Sequence, residues 1–143
     1  MPETGGVTED PRFAAGVAFF DAADFFEAHE EWEALWHETR GAPRDFVQGL
    51  IQVTSALHHL QIKNMKGARL LHDSGIELLS GYGDAYEGVD LKALRAAFDR
   101  SLAEILTVPY DSLTGRGHAG PVLAPYTPDR AFKFPWKKKE GRA

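Results

Sequence analysis

The stretch from Pro43 to Lys63 reads PRDFVQGLIQVTSALHHLQIK, and it decides the fold class. Its apolar side chains cover most of a helical wheel when successive residues are placed about 100° apart. A helix that is apolar over most of its circumference is usually enclosed by its neighbours. The stretch therefore predicts a central helix within an all-α bundle. Its polar side chains form one narrow stripe at spacings of three or four residues: Arg44, Gln48, Gln52, Ser55 and His59.

Start and stop signals predict further helices on both sides of this stretch. Asp10-Pro11 is a helix start, and Asp24 begins a second helix with Glu27 completing a capping box. No segment before residue 107 alternates well enough to be a strand. We predict a single-domain bundle of about five helices over residues 10–108. These helices are expected at residues 11–22, 25–39, 43–63, 65–80 and 91–107.

Residues 109–143 have a different composition and predict an extended C-terminal arm. The arm has little helical periodicity, and it contains five prolines: Pro109, Pro121, Pro125, Pro128 and Pro135. Phe132, Phe134 and Trp136 alternate with other residues, so their side chains point to one face of an extended chain. They could lie across the surface of a second copy or back on their own bundle. We therefore expect that the arm could support a homo-oligomer.

Composition excludes several classes of protein. A chain of 143 residues suffices for one domain with a single core. The absence of cysteine excludes disulfides, thiolate metal sites and cysteine nucleophiles. The sequence has no apolar run near the ~18–20 residues of a membrane span, and its N-terminus does not resemble a signal peptide. We expect a cytoplasmic protein that does not contact a membrane.

The charge is distributed unevenly along the chain, which has a net charge of −5. Residues 1–60 contain 11 acidic and 3 basic side chains, whereas residues 61–143 contain 10 and 13. An acidic first half disfavours binding to a polyanion. We expect no nucleic-acid partner.

The second predicted helix contains the most informative polar residues. From Asp24 to Trp36 it reads DFFEAHEEWEALW, which places His29, Glu30 and Glu33 beside large aromatic rings. His29 and Glu33 are one turn apart and can point to the same spot. If the polar stripe of the central helix turns toward them, they face Gln48, Gln52 and His59.

This arrangement has several interpretations. His29, Glu33 and His59 would suit zinc, manganese, iron or nickel better than calcium or magnesium. Alternatively, Arg44 could neutralise the carboxylates in an inert polar network, or the stripe could be an ordinary solvent-exposed face. A helix face that carries two Gln, a Ser and a His rather than Lys and Glu favours burial.

Three motifs with this order and spacing resemble a known family. They are Phe26-Glu27-x-His29-Glu30-x-x-Glu33-x-x-Trp36, Arg44-x-x-x-Gln48-Gly49-Leu50-Ile51-Gln52 and His59-x-x-x-x-Asn64-x-x-Gly67-Ala68. The sequence over residues 13–106 is similar to the small helical family known as domain of unknown function 309, often labelled predicted metal-dependent hydrolase. The resemblance implies a bundle in which one helix is enclosed by the others. It also implies that Glu27, His29, Glu30, Glu33, Arg44, Gln48, Gln52 and His59 are the polar positions of the family.

The sequence leaves three functional hypotheses open. The first is a metal-dependent hydrolase in which His29, Glu33 and His59 bind the metal, Glu30 activates water and Arg44 orients an anionic small-molecule substrate. The second is a non-catalytic helical module that associates with a protein partner or a second copy. The third is a pocket for a small anionic ligand lined by Arg44, Gln48 and Gln52, without catalysis.

Overall fold

A computed structural model of the chain describes residues 6–113 and 132–137. Its six helices confirm the predicted all-α bundle. Among the described residues, none of the helices is both long enough and apolar enough to cross a membrane. The helices are α1 (Pro11–Asp21), α2 (Phe25–His37), α3 (Pro43–Gln61), α4 (Met65–Leu79), α5 (Leu91–Ser101) and the short α6 (Ala103–Leu106). Single 3-10 turns cover Val7–Glu9, Ser80–Tyr82 and Tyr110–Ser112, and a hairpin joins β1 (Ala85–Tyr86) to β2 (Val89–Asp90).

The N-cap predictions have mixed outcomes. The Asp10 carboxylate accepts a hydrogen bond from the Arg12 backbone N–H at 2.9 Å, so the predicted start of α1 is confirmed. The predicted capping box at Asp24 is wrong. The Asp24 side chain makes no capping hydrogen bond, and the Asp24 N–H donates to the Phe19 carbonyl at 2.8 Å instead of to Glu27. The loop that enters α2 therefore satisfies the backbone without the carboxylates.

Helix α3 is the centre of the bundle, as its apolar sequence predicts. It packs against α2 on one side and α4 on the other, and Asp45 is its only exposed residue. The approach to α4 is close, because a Cβ on Gly49 would lie 2.7 Å from the Leu79 side chain. At its N-terminus, Ala42 has no side chain that could cap the helix. The Tyr82 hydroxyl accepts from the Phe46 N–H at 3.0 Å and donates to the Ala42 carbonyl.

The hairpins α1–α2 and α3–α4 have matching loops, offset by forty residues along the chain. Ala23 and Lys63 both adopt a positive φ, of 62° and 64°. The residue after each donates its N–H five residues back, from Asp24 to Phe19 and from Asn64 to His59, at 2.8 Å in both loops. The Gln61 side chain donates to the Ala23 carbonyl at 2.9 Å and so holds the first loop against the end of α3.

Two features after α4 differ from the sequence prediction. The predicted fifth helix is interrupted at Leu102, a single non-helical residue between α5 and α6. The β-hairpin was not predicted because each strand has only two residues. Its turn places Glu87 and Gly88 at φ of 52° and 82°, as a tight two-residue hairpin turn requires. Glu-Gly is a weaker signal for such a turn than Asn-Gly or Asp-Gly.

His72 connects α4 to α5. Its Nδ1 lies 2.9 Å from an Asp73 carboxylate oxygen and its Nε2 lies 2.7 Å from an Asp99 carboxylate oxygen. The ring is buried and packs on Phe98, with centroids 4.7 Å apart. A histidine buried between two carboxylates has a structural role, which the spacing along α4 alone does not reveal.

The aromatic core between α1 and α2 is built around Trp32, which is fully buried. Its indole N–H donates to the Phe13 carbonyl at 3.1 Å, and its ring stacks on Phe13 with centroids 5.5 Å apart. Gly16 gives the indole room, because a Cβ there would lie 2.1 Å from Nε1. Of the arm predicted over residues 109–143, residues 114–131 and 138–143 lie outside the described ranges. Residues 132–137 lie back on their own bundle, where Phe134 packs against Trp32.

We expect Gly16→Ala to lower the free energy of unfolding by about 1–3 kcal/mol, because the added methyl group must displace a fully buried indole. Gly81→Ala is the matched control, since a Cβ at Gly81 would have no atom within 4 Å. It should change stability by less than about 0.5 kcal/mol. Urea unfolding followed by circular dichroism measures both. Equal effects of the two substitutions would contradict the close fit of Trp32.

We expect Asp10→Asn to destabilise the protein at neutral pH. Hydrogen bonds from the Arg12 guanidinium lower the pKa of the Asp10 carboxyl, so the pair adds stability above the unfolded pKa near 4. That stability, about 0.2–1 kcal/mol for a partly exposed pair, is lost as pH falls through the lowered pKa. Urea midpoints of wild type and variant should therefore differ at pH 7 and converge at the acid end. Asp24→Asn, which removes no capping bond, should change stability at pH 7 by less than about 0.5 kcal/mol.

Candidate functional site: a histidine pocket between α2 and α3

A cavity of about 200 Å³ opens where the first turns of α2 meet the last turns of α3. The side chains that line it come from these two helices and from the residue after α3. They are Phe26, His29, Ser55, His58, His59 and Ile62. We call this cavity the histidine pocket. It brings together His29 and His59, which were predicted to face each other, and no carboxylate of residues 6–113 or 132–137 lines it.

His59 is held in one orientation by Asn64, the N-cap of α4. The Asn64 amide oxygen accepts from the Gly67 N–H at 3.0 Å, so the amide nitrogen is the atom 3.0 Å from His59 Nδ1. An amide nitrogen can only donate, and Nδ1 therefore accepts. The proton of this neutral imidazole is then on Nε2. A Cβ on Gly67 would lie 2.5 Å from the Asn64 amide nitrogen, which explains the glycine in the third motif.

His29 and His58 each have a buried Nδ1 that finds no hydrogen-bond partner among the described residues. With the imidazole proton on Nε2, such an Nδ1 is a bare acceptor and not an unpaired donor. Phe26, which is 47% exposed, packs against both rings with centroid distances of 6.1 Å to His29 and 5.6 Å to His58. An aromatic ring thus covers the two imidazoles.

Arg44 does not line the histidine pocket, because it is bound to the C-terminal end of α2. Its guanidinium lies 3.9 Å from the centre of the Trp36 ring. It also donates to the Thr39 carbonyl at 2.9 Å and to the Trp36 carbonyl at 3.4 Å. The Trp36 carbonyl also accepts from the Thr39 N–H at 3.0 Å, so Arg44 adds to the hydrogen bonds of the turn that ends α2 and joins the first motif to the second.

The acidic residues of the first motif lie outside the histidine pocket. Glu30 is exposed, Glu33 is partly buried, and neither makes a hydrogen bond or ion pair with a described residue. Across residues 6–113 and 132–137, no three His, Asp or Glu side chains converge as a metal site requires. His29, Glu33 and His59 therefore do not fit a three-ligand metal site in this arrangement. The lone pair of His59 Nδ1 is also engaged by Asn64.

Gln48 and Gln52 lie on the part of α3 that faces α4. Gln48 lines a second, more open cavity of about 790 Å³, whose wall includes Asp45 and Glu77. The Cβ of Gln52 packs against Gly75, where a methyl group would lie 3.2 Å away. Neither glutamine lines the histidine pocket. The polar stripe of α3 is therefore divided: Gln48 lines the second cavity, whereas Ser55 and His59 line the histidine pocket.

His58 lines the pocket although it does not belong to the predicted polar stripe of α3. Ser55 was included in the stripe but was not considered part of a site. A usable signal was present, since Ser55, His58, His59 and Ile62 follow the spacing i, i+3, i+4 and i+7 of one helical face. The face of α3 that lines the pocket therefore includes His58 and Ile62 in addition to the polar stripe.

Comparisons with known proteins agree with the three motifs. Residues 13–71 match the family model described as Domain of unknown function (DUF309). A protein of Bacillus subtilis (strain 168) named Uncharacterized protein YpuF is 34% identical over 76 residues. That match covers 52% of this chain and 44% of the relative, so the chain spans less than half of the relative's length. Every residue of the histidine pocket lies within the segment 13–71 that is similar to this family of unknown function.

Proposed function

We propose that the protein is a non-catalytic binding module, and that the histidine pocket takes a small oxyanion with a compact apolar body. The observation that carries this proposal is the set of three imidazoles around one cavity that, in the described part of the chain, no carboxylate lines. Arginine, the residue expected to hold an anion, is not part of the pocket. The ligand is a small anion, as in the third hypothesis from the sequence, but its site lies at the C-terminal end of α3 and not beside Arg44, Gln48 and Gln52.

The tautomers of the histidines support an anion over a cation. His59 carries its proton on Nε2 because Asn64 donates to Nδ1, and the buried Nδ1 atoms favour the same tautomer for His29 and His58. Imidazoles in this state present N–H donors, which a carboxylate or phosphate oxygen accepts. A divalent metal needs nitrogen lone pairs instead.

The size and walls of the histidine pocket define the ligand further. Its volume of about 200 Å³ lies below the ~300 Å³ of the smallest typical drug-sized sites. Phe26 and Ile62 supply apolar walls, whereas Ser55 adds a hydroxyl group. A small aromatic or branched carboxylate fits this chemistry better than inorganic phosphate, which has no apolar part.

The metal-dependent hydrolase implied by the family label has less support. Its proposed base, Glu30, does not line the histidine pocket, and its proposed anion-orienting residue, Arg44, is engaged by Trp36 and Thr39. A hydrolase of this kind would need a base within reach of the bound ligand. Zinc therefore enters the test below as a competing ligand.

We expect sodium benzoate to shift the side-chain NMR signals of His29, His58 and His59 in a saturable way, and phosphate to bind more weakly. His58→Ala should weaken benzoate binding by about 10–100-fold, the equivalent of one hydrogen bond to a charged group. His37→Ala is the matched control, because His37 is exposed and lies at the other end of α2. Shifts that sodium chloride reproduces would refute an oxyanion site. Saturable shifts with zinc chloride alone would favour the predicted metal site.

A second prediction separates the two roles of Asn64. Asn64→Ser keeps a hydroxyl that can cap α4 but removes the amide that donates to His59. Stability should fall by less than about 1 kcal/mol, whereas long-range ¹H–¹⁵N spectra should show that His59 no longer holds the Nε2–H tautomer alone. Benzoate affinity should fall with it. If the tautomer of His59 is unchanged in the variant, Asn64 does not orient this ring.

A further inference from the structure

Ser55 lines the histidine pocket with a hydroxyl group that is not hydrogen-bonded to its own helix. Hydroxyl side chains in helices can donate to the backbone carbonyl three or four residues earlier. Those that do so in this chain, at 2.7–3.0 Å, are Thr39, Thr54, Ser80, Ser101 and Thr107. The partly buried Ser55 hydroxyl makes no hydrogen bond to residues 6–113 or 132–137. It is therefore available to a ligand in the pocket.

Ser55 differs from the three histidines of the pocket in the hydrogen bonds that it can make. The Nδ1 atoms of His29 and His58 are buried, and Nδ1 of His59 already accepts a hydrogen bond. In the Nε2–H tautomer these imidazoles offer a ligand N–H groups, which only donate. The two remaining side chains of the pocket are apolar. Among the described side chains that line the pocket, the Ser55 hydroxyl is thus the acceptor that a ligand can reach.

The position of Ser55 along α3 indicates which part of a ligand it meets. Ser55 comes three residues before His58 and four before His59, on the face of α3 that lines the pocket. This spacing corresponds to about 4.5–6 Å along the helix axis. A carboxylate that binds the imidazoles therefore leaves Ser55 beside a different part of the same ligand. A hydroxyl group meta or para to the carboxylate of an aromatic ring can span this distance, whereas an ortho hydroxyl lies too close to the carboxylate.

We infer that the histidine pocket selects hydroxy acids, small carboxylates whose apolar body carries a hydroxyl group about one helical turn away, and that Ser55 recognises this hydroxyl. The inference rests on the oxyanion site proposed above. The imidazole N–H groups donate to the carboxylate, and the ligand hydroxyl donates to Ser55 Oγ, so both polar ends of the ligand are paired. An acid with a methyl group in place of the hydroxyl covers Ser55 and leaves its hydroxyl without a partner, which weakens binding.

The test compares 3- and 4-hydroxybenzoate with 3- and 4-methylbenzoate, which are acids of closely similar size. Saturation of the side-chain NMR signals of the three pocket histidines measures their binding. For wild type, at least one hydroxy acid should bind about 3–10-fold more tightly than its methyl counterpart, the equivalent of one neutral hydrogen bond. Ser55→Ala should abolish this preference without weakening the binding of the methyl acids. Because alanine is a better helix former than serine, the variant should fold.

Ser74→Ala is the matched control. The Ser74 hydroxyl also makes no hydrogen bond to a described residue, but Ser74 is on α4 and lines the second cavity. This variant should keep the preference of wild type. Equal affinities of wild type for hydroxy and methyl acids overturn the inference and leave the oxyanion site standing, and a preference that survives in Ser55→Ala overturns it as well. If none of the four acids gives saturable shifts, the oxyanion site itself is refuted.

Discussion

The fit of Trp32 against Gly16 is the constraint on which the rest of the structure depends. A fully buried indole needs both a partner for its N–H and space beside α1, and it finds them in the Phe13 carbonyl and a residue without a side chain. The same ring forms part of the floor on which Phe134 lies. Because Trp32 and His29 share α2, the packing that seats the indole also sets where the imidazole meets α3. One helix therefore serves the core on one face and the histidine pocket on another.

Most of the fold could be predicted because its signals are local. Asp10-Pro11 and Pro43 begin helices for reasons contained in their own chemistry, and the apolar wheel of α3 predicts an enclosed helix whatever surrounds it. The β-hairpin and the break at Leu102 could not be predicted in this way. Two-residue strands have no periodicity to detect, and the additional bridge from Val89 to Trp136 joins residues nearly fifty positions apart in the sequence.

The candidate site was predictable only in part, because several groups compete to bind the same polar side chain and the sequence does not show which of them lies closest. Pairing His29 with His59 across α2 and α3 required only helical geometry, and the two residues do line one pocket. Arg44 looked available for a carboxylate, yet the carbonyls at the end of α2 and the Trp36 ring engage it. Asn64 likewise determines which nitrogen of His59 carries the proton. Such competition is settled by distances, which a helical wheel does not contain.

The matching loops at Ala23 and Lys63 have a consequence for how chemistry is distributed in the fold. In the same frame, offset by forty residues, Phe19 occupies the position of His59 and Asp24 that of Asn64. The same loop backbone thus occurs twice. It carries the phenyl ring of Phe19 in the first loop and the imidazole of His59 in the second. Asp24 could not replace Asn64, since an ionised carboxylate has no hydrogen to give to an imidazole nitrogen. The two loops therefore differ in the chemistry of their side chains and not in their backbone.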